Sequence, residues 1–246
     1  MTTPAMTRSD TTSTRRPRDL RRFWRVLIAV TLPIGPLGVL TVRAILPYWT
    51  DQDTETIVQH SVADPGAMNA IVWIAMIFTP PLLFSMLVLG YVARRGAPLL
   101  ATLGAALSFV AYANWGAAGN VDYLTYIMGR EGYSVTEIAG LVDATYDHPV
   151  AIISSFGWVV GHILGMILLG IALARSGVVA RWVGVVLAVS QPVHLVAAVI
   201  VPSRPLDVLG GWGLTTLGVV MVSVAIWRMS DDEFDLRPLP GRVAGR

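Results

Sequence analysis

Residues 150–174 read VAIISSFGWVVGHILGMILLGIALA, a stretch without a single charged side chain. A helix of this length would be about 37 Å long, enough to cross the roughly 30 Å hydrocarbon core of a bilayer. The stretch therefore predicts a transmembrane helix. The whole chain has the same character, because 54% of its 246 residues are hydrophobic and only 14% are charged, against about 25% in soluble domains.

Five further apolar runs are long enough to cross a membrane. The first is longer than the apolar core of a secretory signal, about 7 to 15 residues, so it is expected to be retained. We expect an all-α integral membrane protein, a six-transmembrane-helix bundle at residues 23–228 with disordered cytoplasmic tails at 1–22 and 229–246. The six predicted spans are residues 23–46, 67–93, 99–118, 150–174, 178–201 and 206–227.

The charges predict which way the bundle faces. With the N terminus inside, the inner segments carry 15 arginines against 6 acidic residues, and the outer segments carry 3 against 10. Basic residues are retained on the cytoplasmic side, so both termini are expected there, in a bacterial-type cytoplasmic membrane. The basic N-terminal tail should contact anionic lipid headgroups, and no nucleic-acid partner is expected. Arg43, on the outer side, is expected to snorkel to the headgroups more readily than to pair with Asp207 or Asp122.

The two long outer segments, residues 47–66 and 120–149, each contain one amphipathic stretch. In the second, Ser134 and Glu137 have the spacing of a capping box. We therefore expect two short amphipathic helices lying flat on the outer surface. Tryptophans near the span ends, including Trp49 and Trp212, are typical of interfacial anchors.

The chain also matches itself when it is shifted so that Met86 falls on Met166. Such a match predicts a parallel internal repeat in which spans two and three correspond to spans four and five. The alternative is that membrane hairpins in general share glycine, leucine and inner arginine. Within residues 86–114, the identical pairs at this one offset are Met86 and Met166, Leu89 and Leu169, Gly90 and Gly170, Arg95 and Arg175, Gly104 and Gly184, and Leu107 and Leu187.

Several enzyme classes are disfavoured by residues that the sequence lacks. Without cysteine there can be no disulfide, thiolate metal site or iron–sulfur cluster, and without lysine no Walker A loop or Schiff base. The chain has no His-Glu-x-x-His or Gly-x-Ser-x-Gly motif either. The balance is against an enzyme, and no catalytic residue is assigned.

A few polar or large side chains within the predicted spans are candidates for a ligand cavity, because such groups are costly in lipid and usually face the bundle interior. They are Asn114, Trp158, His162, Gln191 and His194. The histidines could instead form hydrogen bonds between helices. A third alternative is that His162 and His194 bind haem b or a metal, although their predicted depths differ by about 8 Å.

Prolines inside spans are a second group of cavity candidates. Each removes a hydrogen bond to the carbonyl four residues earlier, which for the first span means Ala29 and Leu32. A freed carbonyl at membrane depth must be satisfied by a neighbour or line a polar cavity, so a plain kink is the alternative. The candidates are Pro33, Pro36, Pro80 and Pro81.

Small residues form a stripe at intervals of four in the fourth span: Gly157, Gly161 and Gly165. Such a stripe lets another helix approach closely, either within the chain or in a homodimer.

These patterns support three hypotheses from different classes. The first is a non-enzymatic protein that binds or passes a small lipophilic molecule in an intramembrane cavity framed by the broken helices. The second is a haem-b or metal-binding redox protein that uses His162 and His194. The third is a membrane scaffold whose outer helices or inner tails dock a partner protein.

Overall fold

The computed structural model describes residues 19–115 and 120–235, and within them every regular element is helical. The last two long helical stretches each contain a π-helical segment: one ends with Val196–Ile200, and the other is interrupted by Asp207–Gly213. The α-helices are α1 Arg21–Thr31, α2 Ile34–Ile45, α3 Thr54–Ala63, α4 Pro65–Ala93, α5 Pro98–Trp115, α6 Val121–Arg130, α7 Val135–Tyr146, α8 Pro149–Ser176, α9 Arg181–Leu195, α10 Arg204–Leu206, α11 Leu214–Arg228 and α12 Asp231–Phe234.

In the described part of the chain, five helical stretches are long and apolar enough to cross a membrane, judged by length and composition. They are Arg21–Ile45, Pro65–Ala93, Pro149–Ser176, Arg181–Ile200 and Arg204–Arg228. The apolar helix α5 is shorter, at 18 residues. The expectation of an all-α, membrane-embedded protein is therefore confirmed.

The prolines of the first stretch separate α1 from α2, as expected, but the freed carbonyls do not face a cavity. The carbonyl of Ala29 accepts a hydrogen bond from the Ser223 hydroxyl of α11. The carbonyl of Leu32 accepts one from Ser85 of α4 at 2.8 Å. Each unsatisfied backbone group in a bilayer would cost several kcal/mol, so these two serines hold the break in place.

The paired prolines of α4 do not break their helix. The segment Pro65–Ala93 is continuous across Pro80 and Pro81. Within it, the Thr79 hydroxyl donates to the Ala75 carbonyl at 2.6 Å, and Ser85 also donates to the Pro81 carbonyl at 2.7 Å. The expected break in this span is therefore absent.

Two antiparallel hairpins, α4 with α5 and α8 with α9, form the centre of the bundle. In the first, a Cβ on Gly90 would lie 2.5 Å from the Ala105 Cβ. In the second, a Cβ on Gly170 would lie 2.4 Å from the backbone nitrogen of Ala188 and 2.5 Å from the carbonyl oxygen of Gly184. Glycine at these positions lets the paired helices approach to backbone contact.

Helices α5 and α8 join the hairpins through the small-residue stripe of α8. A Cβ on Gly161 would meet Ala111, and one on Gly165 would meet Ser108, whereas one on Gly157 would meet no described neighbour. Two of the three glycines are therefore used within the chain, which leaves Gly157 alone for any homodimer contact through the stripe.

Helices α3, α6 and α7 form a cap over one end of the bundle. Its small core consists of Val58, Ile138, Ala139 and Val142, all buried. The capping box of Ser134 and Glu137 is present at the start of α7. The expectation of two helices lying flat on the surface is corrected: the described outer segments contain α3, α6 and α7, and these bury their apolar faces against one another. Helix α6 was not predicted from the sequence. Its first turn is capped by the side chain of Asn120, which accepts a hydrogen bond from the backbone of Tyr123.

The tail beginning at residue 229 is also corrected where the structure describes it. Helix α12 follows Ser230, and Phe234 is buried. Arg21 pairs with Asp232 at 2.5 Å, and Arg25 pairs with Asp231 at 2.9 Å, so α12 is fastened to α1. Since α1 begins at Arg21, the end of the predicted N-terminal tail is helical, and residues 1–18 and 236–246 lie outside the described residues.

Candidate functional site

A cavity of about 970 Å³ lies between the helices beneath the cap. Its apolar wall comes mainly from α2 and α4, with Val39, Phe78 and Leu82 among the contributors. Polar side chains gather toward the cap. The polar and ionisable lining residues are Arg43, Tyr48, Thr79, Tyr112, Asn114, Asn120, Asp122, Tyr123, Tyr146, Ser154, Ser155 and His194.

The cavity is open to its surroundings. Trp73 and Met76 of α4 line it and are 54% and 60% exposed. Asn114 of α5 and Ser155 of α8 also line it and are exposed. Further inward, the contact of Gly90 with Ala105 closes the α4–α5 hairpin. A molecule therefore has a way in at the cap-side half of the bundle.

A fully buried carboxylate, Asp207, joins two groups that line the cavity. One oxygen accepts a hydrogen bond from Nε of Arg43 at 2.5 Å, and the other accepts one from Nδ1 of His194. Gly211 makes room for this approach, because a Cβ there would lie 2.8 Å from the Asp207 carboxylate and 3.0 Å from the His194 Cβ. A buried charge must be paired and hydrogen-bonded, and Asp207 is both.

The hydrogen bond to Asp207 fixes the orientation of the His194 imidazole. With Nδ1 donating to the carboxylate, Nε2 carries the lone pair of the neutral ring and is the nitrogen available to a molecule in the cavity. Arg43, on the other side of the carboxylate, is held in addition by Trp49, whose ring centroid lies 4.1 Å from the guanidinium carbon. Both cavity-lining groups are therefore fixed in place before any ligand arrives.

His162 lies behind this cluster and does not line the cavity. It is 1% exposed, its Nδ1 donates to the Trp158 carbonyl at 2.5 Å, and its Nε2 has no partner among the described residues. The His162 and His194 rings are nevertheless neighbours, with centroids 5.9 Å apart. The packing of the helices therefore brings the two rings together despite the expected difference in their depths.

The arrangement around the histidines does not favour haem or a metal. Tyr112 packs 5.8 Å from the His162 ring, and Trp212 packs 5.6 Å from the His194 ring. A macrocycle between the two imidazoles would have to displace both aromatic side chains. Among the described residues, no group of three or more His, Asp or Glu side chains is placed to hold a metal ion.

At the cap, the Tyr48 hydroxyl donates to Asp122 of α6 at 2.5 Å. Burial raises the pKa of the Asp122 carboxyl above its ordinary value of 3.8, although the hydrogen bond from Tyr48 and the charge of Arg43 act in the opposite direction. Burial likewise raises the pKa of Tyr48 well above 10.0. This end of the cavity therefore disfavours negative charge.

The structure brings some of the predicted cavity residues together and places others elsewhere. Asn114, Trp158 and His194 line the cavity. Gln191 does not, since its amide donates to Thr215 of α11 at 2.7 Å as part of a hydrogen-bonded link between helices. The four proline candidates also lie outside the lining: Pro33, Pro36, Pro80 and Pro81.

The groups that organise the polar end of the cavity were not predicted from the sequence. Arg43 pairs with Asp207 instead of snorkelling, which corrects the preferred interpretation. Trp49 and Trp212, expected as interfacial anchors, are buried. The available signal was that Arg43 and Asp207 have opposite charges at the same predicted depth, near the outer ends of the first and last spans.

Part of the cavity lining also follows the offset at which the chain matches itself. Four pairs of positions that this offset equates in the two hairpins line the same cavity, whereas the other lining residues of the hairpins have no lining counterpart at this offset. The lining pairs are Ala75 and Ser155, Phe78 and Trp158, Thr79 and Val159, and Asn114 and His194.

A protein-family model described as a domain of unknown function (DUF4386) matches residues 26–230. The matched range includes every described residue that lines the cavity. No curated protein and no solved structure matches the chain.

Proposed function

The chain belongs to the DUF4386 family, and we propose that it binds or passes a small lipophilic molecule in a cavity within its helix bundle, without transforming it. The observation that carries the proposal is the 970 Å³ cavity with an apolar wall and a polar end. Ligand pockets generally measure about 300 to 1,000 Å³ and are mostly apolar, with a few placed polar groups.

The side opening supports a lipophilic ligand. The exposed side chains Trp73 and Met76 border the cavity on α4, a helix long and apolar enough to lie in lipid. A molecule dissolved in the bilayer could enter beside them without crossing water. The apolar wall would then pack against its hydrocarbon part. Because lipid tails are as apolar as this wall, the preference for the cavity over the bilayer has to come from close packing and from the polar end.

The proposal includes a topology of six crossing helices. At 18 residues, α5 is about 27 Å long, slightly shorter than the roughly 30 Å hydrocarbon core but within the range of about 17 to 25 residues found for transmembrane helices. With both termini in the cytoplasm of a bacterial-type cell, the cap of α3, α6 and α7 faces outward, and the arginine-rich turns face inward. The polar end of the cavity is then on the outer side.

The topology can be tested by labelling, because the chain contains no cysteine. In intact cells, a membrane-impermeant maleimide should label a Tyr133→Cys variant in the cap. It should label an Arg175→Cys variant at the inner turn only after permeabilisation. The reverse pattern would invert the topology, and labelling of both in intact cells would contradict the six-span arrangement.

Ligand binding can be tested by filling the cavity. Ala75 and Ser155 line it from α4 and α8, so Ala75→Trp with Ser155→Trp should occupy it. The matched control is Ile77→Trp with Ile153→Trp, which changes exposed positions of the same two helices outside the lining.

We expect organic extraction and mass spectrometry of the purified wild type and control to recover a co-purifying lipophilic species. The cavity-filled variant should have lost it. Equal recovery from all three proteins, or no species above the detergent background in any, would contradict the proposal.

A further inference from the structure

The polar end of the cavity presents one hydrogen-bond acceptor and one donor as neighbours. The acceptor is Nε2 of His194, because Nδ1 is engaged by Asp207. The donor is the guanidinium of Arg43, which uses Nε for Asp207 and whose buried Nη2 has no partner among the described residues. Both side chains line the cavity and are held by the same carboxylate.

A head group that matches this pair carries an O–H donor and a carbonyl acceptor on the same carbon. A protonated carboxylic acid has both, with its hydroxyl directed to Nε2 and its carbonyl oxygen to an arginine N–H. An ester lacks the donor, and a sulfonate lacks the proton. The pair therefore distinguishes among head groups that share one hydrocarbon tail.

The surrounding charges favour a neutral head. The ionisable side chains around His194 are Asp207 and His162, which contact it, Arg43 of α2 on the other side of the Asp207 carboxylate, and Tyr112 of α5, which packs against the His162 ring. The charges of Arg43 and Asp207 cancel, and the Asp122 carboxyl lies farther toward the cap. An additional anion in this low-dielectric site would be uncompensated, whereas a neutral acid adds no charge.

We propose, on the basis of the proposed function, that the cavity takes a long-chain carboxylic acid in its protonated form. The acid hydroxyl donates to Nε2 of His194, and the carbonyl oxygen accepts from Arg43. No covalent bond changes. If the proton moves to Nε2, the carboxylate stays paired with Arg43, and the total charge of the site is the same.

The test compares three compounds with the same tail: dodecanoic acid, methyl dodecanoate and dodecane-1-sulfonate. Binding of each radiolabelled compound to the purified full-length protein is measured above the signal of the cavity-filled variant. We expect dodecanoic acid to bind at least tenfold more tightly than the other two. Above neutral pH, its affinity should fall about tenfold per pH unit, because the protonated fraction falls by that factor, while the ester should show no such trend.

The role of His194 is tested with His194→Gln against His148→Gln, a control at an exposed position outside the cavity lining. The first variant should lose the preference for the acid over the ester, and the second should keep it. Should His194→Gln fail to fold, the comparison of the three compounds on the wild type still tests whether the cavity prefers the protonated acid.

The possible failures are distinguishable. Equal affinity for acid and ester would overturn the assignment of the head group while the cavity remained a ligand site. Tight sulfonate binding, or acid binding that does not change with pH, would overturn the neutral form. If none of the compounds bound above the cavity-filled variant but a different co-purified species did, the acid would be excluded. With no bound species at all, the proposed function would fail as well.

Discussion

The two hairpin units of this molecule have the same construction but different chemistry. The first unit consists of α3, α4 and α5, and the second of α7, α8 and α9. In both, a cap helix leads to a proline in the first turn of a long helix, whose start is capped by the side chain of Asp64 or His148. A close turn and a return helix follow.

The units differ in what they present to the cavity. The first contributes Phe78 where the second has Trp158, and Asn114 corresponds to His194. Leu82 of the first also lines the cavity, whereas its counterpart His162 does not. Apolar contacts therefore dominate one side, while the second unit joins the ion pair of Arg43 and Asp207. The same scaffold therefore carries either kind of side chain at these positions.

The largest expected effect comes from breaking the polar side. Asp207→Asn would leave Arg43 buried without its counter-charge and should lower the free energy of unfolding by about 3 kcal/mol or more. The control Asp231→Asn removes the more exposed pair with Arg25 and should cost less than about 1 kcal/mol. Unfolding in mixed micelles measures both, and equal losses would show that the central pair has no special role.

The close helix contacts of the two hairpins should differ in how much stability an added methyl group costs. Gly170→Ala places a methyl group against backbone atoms of α9 and should cost about 3 kcal/mol, since overpacking that side chains cannot relieve is expensive. Gly90→Ala places its methyl group 2.5 Å from the Cβ of Ala105, which cannot move without its backbone, and should cost about 2 kcal/mol, since only this one atom is approached within 3 Å. Gly157→Ala, which meets no described neighbour, is the control and should be neutral or slightly stabilising. Thermal unfolding of the three variants would contradict this order if Gly90→Ala were the most damaging.

At one position, replacing a residue of the second unit by its counterpart in the first should raise the stability of the protein. His162→Leu introduces the residue found at position 82 and removes a buried ring nitrogen that has no partner in the described part of the chain. We expect a gain of about 1 kcal/mol, because an unsatisfied buried polar group is costly. Ligand binding should persist, since His162 does not line the cavity. If the free energy of unfolding instead fell by more than about 1 kcal/mol, or if ligand binding were lost, His162 would have to make a further favourable contact.

The smallest expected effect concerns the cap-side rim, where both units meet α6. Burial raises the pKa of Asp122 above 3.8, so the folded state binds a proton more readily than the unfolded state. Stability from this group is therefore present below pH 3.8 and is lost as pH rises through the raised value. Asp122→Asn should raise the melting temperature slightly at pH 7, and the gain should shrink toward pH 4. A gain that grew on acidification would contradict the direction of the shift.

Much of the helical architecture could be predicted from the sequence, because its signals are local. Residues 150–174 are apolar throughout, and the spacing of Ser134 and Glu137 encodes the start of α7. The break between α1 and α2 followed from Pro33 and Pro36, since proline acts on its own helix.

The candidate site depends on contacts between distant segments, which local patterns do not encode. Arg43 and Asp207 are far apart in sequence and meet at 2.5 Å only because α2 packs beside the last π-helical segment. The freed carbonyls of α1 could be expected either at a cavity or bonded to a neighbour, and the structure shows the second, because Ser85 and Ser223 from two other helices bond to them. Asn114 and His194 could be found because ionisable and amide groups within apolar runs are conspicuous.

The most direct test of the central claim, that the cavity enclosed by the two units takes a long-chain carboxylic acid, uses the absence of cysteine from the chain. Ser155→Cys places a thiol in the cavity lining, and Ile153→Cys places one on the same helix outside it. The rate of N-ethylmaleimide labelling is measured for both purified variants with and without dodecanoic acid. We expect the acid to slow labelling several-fold at position 155 and to leave the rate at position 153 unchanged. Equal rates with and without the acid at position 155, or equal slowing at both positions, would contradict the claim.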